Sequence, residues 1–325
     1  MVRVTYADRY GKELGFLDWA EGDFAIGEYN TFELKVPPHL GIAQNSYLMI
    51  DNTEFGGIVD GVETDTTADY VTVSGRTWHG ILETALIKPD AGQEHYTASG
   101  DCNRVIEALI SRLGLSWCME ADKADSGFSV ANWKFSRISS EMNAYAGIRK
   151  MLQSVGAKLR IVYDSAKRRV VLSAVERGEY IDDGIDGIRR DFVISVTRPT
   201  NHLHCLGTEE GVARIRLDLY ADSNGNVSKR QTLFGQNHKE EVYELSASEA
   251  DELEEEGTRR IMEMQEGMYN CSLLDASEGR YDIDDVVGAT TSQYSVVTTV
   301  ASKTAVVDRY GITYETKTAL EVQQQ

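Results

Sequence analysis

Three places in the 325-residue sequence gather side chains of the kinds that hold metals or move protons. The first is His202-x-His204-Cys205, since imidazole and thiolate are the common ligands of zinc. Side chains alternate between the two faces of a strand, so His202 and His204 share one face and Cys205 takes the other. The three converge only across a bulge, and no nearby residue in the sequence offers the further ligands a closed site needs. The expectation is therefore no metal here. The second place, Asp222, Asn224 and Asn226, follows the first half of a calcium loop, but Leu233 stands where the bidentate glutamate belongs. A polar hairpin turn is the expectation instead. The third is a pair of acidic clusters, Asp182, Asp183 and Asp186, then Asp282, Asp284 and Asp285. Neighbouring aspartates suggest a paired acid and base, yet glycosidase carboxylates come from separate elements. Both clusters are expected to be solvated turns. His79 titrates near neutral pH and is expected to be a packing or surface histidine.

Motifs with a built-in mechanism are missing. There is no H-E-x-x-H, no G-x-S-x-G, no phosphate-cradling G-x-x-x-x-G-K and no dinucleotide G-x-G-x-x-G. No residue is therefore assigned to catalysis, to a cofactor or to a metal, and no cofactor is expected.

The elements that would position such residues change texture along the chain. Strand patterns fill residues 1–97. R-V-T-Y and L-G-F-L-D flank a turn at Asp8-Arg9-Tyr10-Gly11; Phe32, Leu34 and Val36 alternate until Pro37-Pro38 stops them; Y-L-M-I-D, E-F-G-G-I-V-D-G-V-E-T-D and Y-V-T-V-S-G-R follow as a meander. Trp78, Ile81, Leu82, Ala85 and Leu86 then recur at helical spacing, with Pro89 closing that helix. Residues 98–188 read as α+β. Asp101 caps a helix that buries Val105, Ile106, Leu109, Ile110 and Leu113 and ends at Gly114. A second helix begins at Ser139 or Ser140, presents Met142, Tyr145, Ile148, Leu152 and Val155, and stops at Gly156. The hairpin K-L-R-I-V-Y and R-V-V-L-S-A-V completes the unit, ahead of an acidic connector at Tyr180 to Ile188.

Residues 189–325 return to strands. In V-A-R-I-R-L-D-L-Y-A-D, Ala213, Ile215, Leu217 and Leu219 face inward, and the Asn224-Gly225 step that follows is a strong hairpin signal. One helix is expected over about 246–264, with a capping box at Ser246 and Glu249, ion pairs Glu255 to Arg259 and Glu256 to Arg260, and a thin apolar side that suits lying on a sheet. The tetrapeptide D-R-Y-G recurs at Asp308 to Gly311. The fold class is α+β and β-rich: two barrel-like β domains (1–97 and 189–325) flanking an α+β domain (98–188).

Composition bounds the partners. Against 33 Lys+Arg stand 52 Asp+Glu, a formal charge of -19. Phosphate contacts need clustered cations, so general adhesion to nucleic acid or to an anionic membrane is disfavoured. A channel through which DNA slides without sticking remains compatible. No apolar run is long enough for a membrane anchor, and the start of the sequence lacks a signal core, which points to synthesis in a cytosol. Cys102, Cys118, Cys205 and Cys271 lie far apart and are expected to be free, buried thiols.

Four segments, in this order, resemble the baseplate hub or tail-associated proteins of tailed phages and prophages, especially siphophages of Gram-positive hosts. They are the strand-Gly-Arg-helix at Val73 to Leu82; N-H-L-H-C-L-G-T-E-E (Asn201 to Glu210) with the strand and Y-A-D-S-N-G turn after it; the helix bearing Glu252, Leu253 and Gly257; and Y-D-I-D-D-V-V-G-A (Tyr281 to Ala289) with the hairpin around Ile312 to Tyr314. The chain departs from the pattern at Ala85 and Leu86, where relatives often carry an arginine, and at Asp284-Asp285, where they often read Gly-Asp.

The resemblance implies a homotrimer whose paired barrels form a ring between tail tube and tip, lining a channel for DNA. It implies distal tail and tail tube proteins, a tape measure protein and tip or receptor-binding proteins as partners, without sequence-specific nucleic-acid binding, and a place in the virion tail after synthesis in the host cytoplasm. Any lytic activity is expected on another polypeptide or on a segment outside the given sequence. Two other readings stand beside this non-enzymatic one: a cell-wall glycan hydrolase using two of the clustered aspartates, and a host-surface binding module.

Overall fold

The structure, a computed structural model, describes residues 4–50, 53–136, 142–182, 192–208, 211–245, 250–266, 269–273, 281–290 and 295–318. It is a β-rich α+β fold with two compact units. The first comprises Met1–Arg190, Leu273–Gly288 and Thr299–Lys317; the second comprises Asp191–Ser272, Ala289–Thr298 and Thr318–Gln325.

In the first unit a hairpin of Val4–Ala7 and Glu13–Phe16 pairs onward to Tyr47–Ile50. The ladder continues through Gly56–Thr64, Val71–Thr77, Thr31–Val36 and Glu21–Ile26 to residues 299–308 of the strand Ser295–Asp308, then to Gly311–Thr318. Among the described residues this path runs open, and no strand pairing closes it into a barrel. The tail strands therefore join the N-terminal strands in one sheet, through pairs such as Ala305 with Phe24.

Both D-R-Y-G sequences build aspartate-anchored turns, with different donors to the carboxylate. Asp8 accepts hydrogen bonds from the backbone N–H of Tyr10 and of Lys12, each at 2.9 Å, and Asp308 accepts from Tyr310 and Gly311 at 2.7 and 2.9 Å. The aspartate replaces a backbone acceptor and glycine takes a positive φ, as short turns require.

The strand-Gly-Arg-helix motif is a brace around a bulge. A Cβ on Gly75 would lie 1.9 Å from the Ile58 carbonyl oxygen, so only glycine lets the strands close here. Asp60 sits at the register shift between Val59 and Gly61, and Arg76 grips its carboxylate with Nε and Nη2, both at 2.8 Å. These hydrogen bonds hold the Asp60 carboxyl below the usual range. Thr77 then caps helix α1 (Trp78–Glu83) by accepting from the Gly80 N–H. The helix ends well short of Pro89: Thr84 turns its hydroxyl onto the Gly80 and Ile81 carbonyls, and Leu86 is exposed.

Two further helices pack on a three-stranded sheet of Ala157–Asp164, Arg169–Glu176 and Met119–Ala121. Helix α2 (Cys102–Arg112) has Asp101 at its cap, and Gly114 follows it with φ 70°. Helix α3 (Ala144–Gln153) starts later than the sequence suggests. Asn143 accepts from the Ala146 N–H at 2.7 Å and is the cap, while Ser139 and Ser140 lie outside the described residues. The core between helices and sheet joins Ile106, Leu109, Ile148 and Leu152 to Met119, Ile161 and Leu172. It continues to Trp78, which stacks on Tyr163 at 5.7 Å and meets Tyr47 edge-on at 5.4 Å. The Tyr163 hydroxyl donates to the Gly11 carbonyl at 2.9 Å, tying the α+β part to the first hairpin. A separate core lies on the large sheet, around Phe24, Phe32, Leu34, Val73 and Val307.

The second unit contains a four-stranded sheet in the order Val227–Ser228, Arg216–Ala221, His202–Leu206, Glu240–Glu244. Its strand begins at Arg216; Ala213, expected inside that strand, is exposed in a short 3-10 turn. Helix α4 (Ala250–Glu266) lies on one face, burying Leu253 and Ile261 against Leu203, Cys205, Leu219 and Ala221. Gly257 makes the approach possible, because a Cβ there would stand 2.5 Å from Cys205 Sγ. The surface ion pairs differ from expectation. Arg259 binds Glu256 and, at 2.8 Å, Glu263, and Arg260 lies 3.7 Å from Glu263. The expected capping box at Ser246 and Glu249 lies outside the described residues.

Cys102, Cys118 and Cys205 are free and buried. Burial pushes the Cys102 and Cys205 thiols up to about 11 and the Cys118 thiol up to about 12, so all three stay protonated at neutral pH. The side chain of Cys271 lies outside the described residues.

Candidate functional site

Asp282, Asp284 and Asp285 form no solvated turn, which corrects the expectation from their spacing. Asp284 and Asp285 are 3% and 0% exposed, and all three acids bind cations from distant parts of the chain. Lys158, the second residue of the Ala157–Asp164 strand, donates to Asp282 Oδ2 and to Asp285 Oδ1, each at 2.7 Å. Asp285 also accepts from the Gly178 N–H at 2.7 Å and the Asp282 N–H at 2.8 Å. On the α3 side, Arg149 grips Asp284 through Nε at 2.9 Å and Nη2 at 2.5 Å, and Gln153 Nε2 adds a bond at 2.9 Å. Asp284 itself takes the left-handed conformation, φ 74°, in which aspartate is one of the few tolerated side chains.

The network extends through Lys303, which binds Glu54 and lies 3.6 Å from Asp282. Burial opposes the charges on Lys158 and Arg149, but their hydrogen bonds to the aspartates more than reverse this, so both pKa values rise. For Asp282 the same balance falls the other way: burial pushes the carboxyl up, and the Lys158 ammonium holds it below the usual range. Glu54 is raised, because its burial outweighs the pull of Lys303. A groove of about 480 Å³ opens beside this network, lined by Glu54, Phe55, Lys158, Asp282, Lys303 and Tyr314 among others.

His79 is a packing histidine. It is 2% exposed and meets Tyr145 edge-on at 5.4 Å. Burial, aided by the nearby Arg149 and Lys303 charges, pushes its pKa down to about 3, so the ring is neutral.

The second group of titratable side chains is the outer face of the four-stranded sheet, opposite α4. As alternation requires, His202 and His204 point to this face while Cys205 is buried on the other. Strand pairing supplies what the linear sequence does not. Register places Asp218 beside His204 on one side and Glu240 beside His202 on the other, and a short loop brings His238 over the same spot.

His202 Nδ1 lies 2.9 Å from His238 Nε2 and 3.5 Å from Glu240 Oε2, while its Nε2 is 3.0 Å from Asp218 Oδ1. His204 bridges the acids, with Nδ1 2.6 Å from Asp218 and Nε2 3.1 Å from Glu240. The hydrogen bond to Glu240 in particular raises the His204 pKa, and it lowers that of Glu240. The premise that no further ligands stand near His202 and His204 is thus overturned by long-range pairing.

Asp222 accepts from the N–H groups of Asn224 and Asn226 at 2.8 and 2.9 Å, a polar hairpin turn. Of the other acidic cluster, Asp183 and Asp186 and the side chain of Asp182 lie outside the described residues. The cations that meet the 282–285 acids, Lys158, Arg149 and Lys303, carry no local sequence signal. Nor does Glu240, whose strand shows no apolar alternation.

No protein family matches the chain, and no curated protein does. Solved structures similar to it include tail and baseplate proteins. The 43 kDa tail protein of prophage MuSo2 from Shewanella oneidensis is 12% identical, with 98% of each chain covered and a TM-score of 0.47. Prophage tail protein gp18 from Listeria monocytogenes is 11% identical over 97% of this chain and 94% of that one, with a TM-score of 0.46. A chain of the phage P2 baseplate in its activated conformation with Ca is 10% identical over 99% of both, with a TM-score of 0.48.

Proposed function

We propose that the chain is a structural, non-enzymatic hub of a phage or prophage tail tip. In this reading it forms a homotrimeric ring that joins the tail tube to the tip and lines a channel for DNA, located in the virion tail. The observation that carries the reading is the engagement of Asp282, Asp284 and Asp285 by Lys158, Arg149 and Lys303. The acids best placed to act as an acid and base pair instead pin a helix, a hairpin and a tail strand together, which is what a scaffold asks of them. The ordered signatures support the same view, because Gly75 with Arg76, and Gly257 on α4, have packing roles in this fold.

The division at 97 and 188 into two β domains and an α+β domain belongs to this proposal, as do the distal tail, tail tube, tape measure and receptor-binding partners. The charge of -19 fits a channel wall from which DNA phosphates are repelled rather than held.

Electron microscopy and mass photometry of the purified chain test the reading. A threefold particle with a central opening is the expected result. A monomer at high concentration that also fails to bind tail-tip neighbours sinks it. The competing readings have tests of their own. Clearing of Gram-positive cell walls that is lost in a variant shown to be folded, Asp183→Asn or Asp285→Asn, would point to a glycan hydrolase, and glycan binding by the isolated chain to a surface-binding module.

A further inference from the structure

We infer that the outer face of the second unit's sheet is a divalent transition-metal site, with His202 Nδ1, His238 Nε2 and Glu240 Oε2 as protein ligands and zinc as the metal it suits best. The three ligand atoms stand 2.9, 3.5 and 4.0 Å apart. Zinc bonds imidazole nitrogen and carboxylate oxygen at about 2.0–2.2 Å, so neighbouring corners of its tetrahedron are about 3.3–3.5 Å apart. To fit, the 2.9 Å edge must lengthen and the 4.0 Å edge shorten, each by about half an ångström, while the 3.5 Å edge already matches. Two histidines and one glutamate leave a fourth position for water or for a group from a partner, as in open zinc sites.

The surroundings are those of a prepared site. Two ring nitrogens face each other at 2.9 Å, so only one of them carries the proton between them, and a metal ion replaces that proton when it binds. The other nitrogen of His202 lies 3.0 Å from Asp218, the carboxylate contact that fixes the tautomer and orientation of a metal-bound histidine. The ring is held further by stacking on Tyr220 at 4.2 Å. Asn201 fixes the loop that presents His238, accepting from the Lys239 N–H at 3.1 Å and donating to the Asn237 carbonyl at 2.6 Å. Mixed imidazole and carboxylate ligation selects zinc, cobalt or nickel over magnesium and calcium, which prefer all-oxygen shells.

Calorimetric titration of the untagged, metal-stripped full chain with zinc tests this, alongside the visible spectrum of the cobalt-substituted protein. The expected result is one zinc per chain, not displaced by calcium or magnesium, and a cobalt spectrum of a four- or five-coordinate nitrogen and oxygen site. His238→Ala and Glu240→Gln lose that binding. Asp218→Asn weakens it by about 10–100-fold, and His39→Ala, a change at an exposed histidine in the other unit, leaves it intact. Glu240 is exposed, so its variant reports on binding even if another change disturbs the fold; circular dichroism checks each one. Absence of stoichiometric zinc binding by the wild type, or equal affinity in correctly folded Glu240→Gln, overturns the proposal.

Discussion

The two clusters of ionisable groups in this molecule use similar side chains for opposite ends. Around Asp285 the charges are buried, each acid faces a lysine or arginine, and backbone N–H groups fill the remaining acceptor sites. Around His202 the acids face histidines, the cluster opens to solvent, and ring nitrogens face one another. The first arrangement leaves nothing for a ligand to complete, whereas the second has lone pairs that a cation would satisfy. Types of residue alone do not separate a strut from a binding face; burial and the identity of the partner do.

The sharpest way to break this contrast is to remove a buried cation. Lys158→Ala leaves Asp285 without its ion partner in a fully buried place, and a broken buried pair costs about 3–5 kcal/mol. Equilibrium urea unfolding reads that loss directly. Acid provides the next test. His79 has a folded pKa of about 3, far below that of an unfolded histidine, so its contribution is complete above about pH 6.5 and is lost as pH falls from there toward 3. Lowering the pH from 6.5 to 5 is expected to cost about 2 kcal/mol through this group alone. The variant His79→Phe, which keeps an aromatic ring against Tyr145, flattens the stability curve over that range.

Within the second unit the two faces of one sheet separate in the same way. Gly257→Ala forces a methyl group onto Cys205 Sγ and costs about 1–3 kcal/mol by overpacking, measured as a lowered urea midpoint. On the opposite face, His238→Ala and Glu240→Gln leave the midpoint of the metal-free protein unchanged. A large loss there would mean that the histidine cluster is a strut as well.

Local devices were legible in the sequence and long-range ones were not. The hairpins at Asp8 and Asp222, the stops at Gly114 and Gly156, the Asp101 cap and the placement of α4 on a sheet all follow from residues a few positions apart. Asn143 was missed as a cap because Ser139 and Ser140 compete for that role in the bare sequence. The Asp282 to Asp285 turn was misread for a different reason. Its partners Lys158 and Arg149 lie 124 to 135 positions away, so three neighbouring acids look like a solvated run until folding delivers their cations. His238 and Glu240, 36 positions from His202 and His204, are hidden in the same way: strand register brings them there.

The Asp282, Asp284 and Asp285 acids hold the fold together through their cation partners. Urea unfolding of Asp285→Asn, which keeps the shape and removes the charge, tests this most directly. A loss of about 2–4 kcal/mol relative to wild type is the predicted result. An unchanged unfolding curve would contradict the account, since a carboxylate that can be neutralised at no cost to stability is not bracing anything.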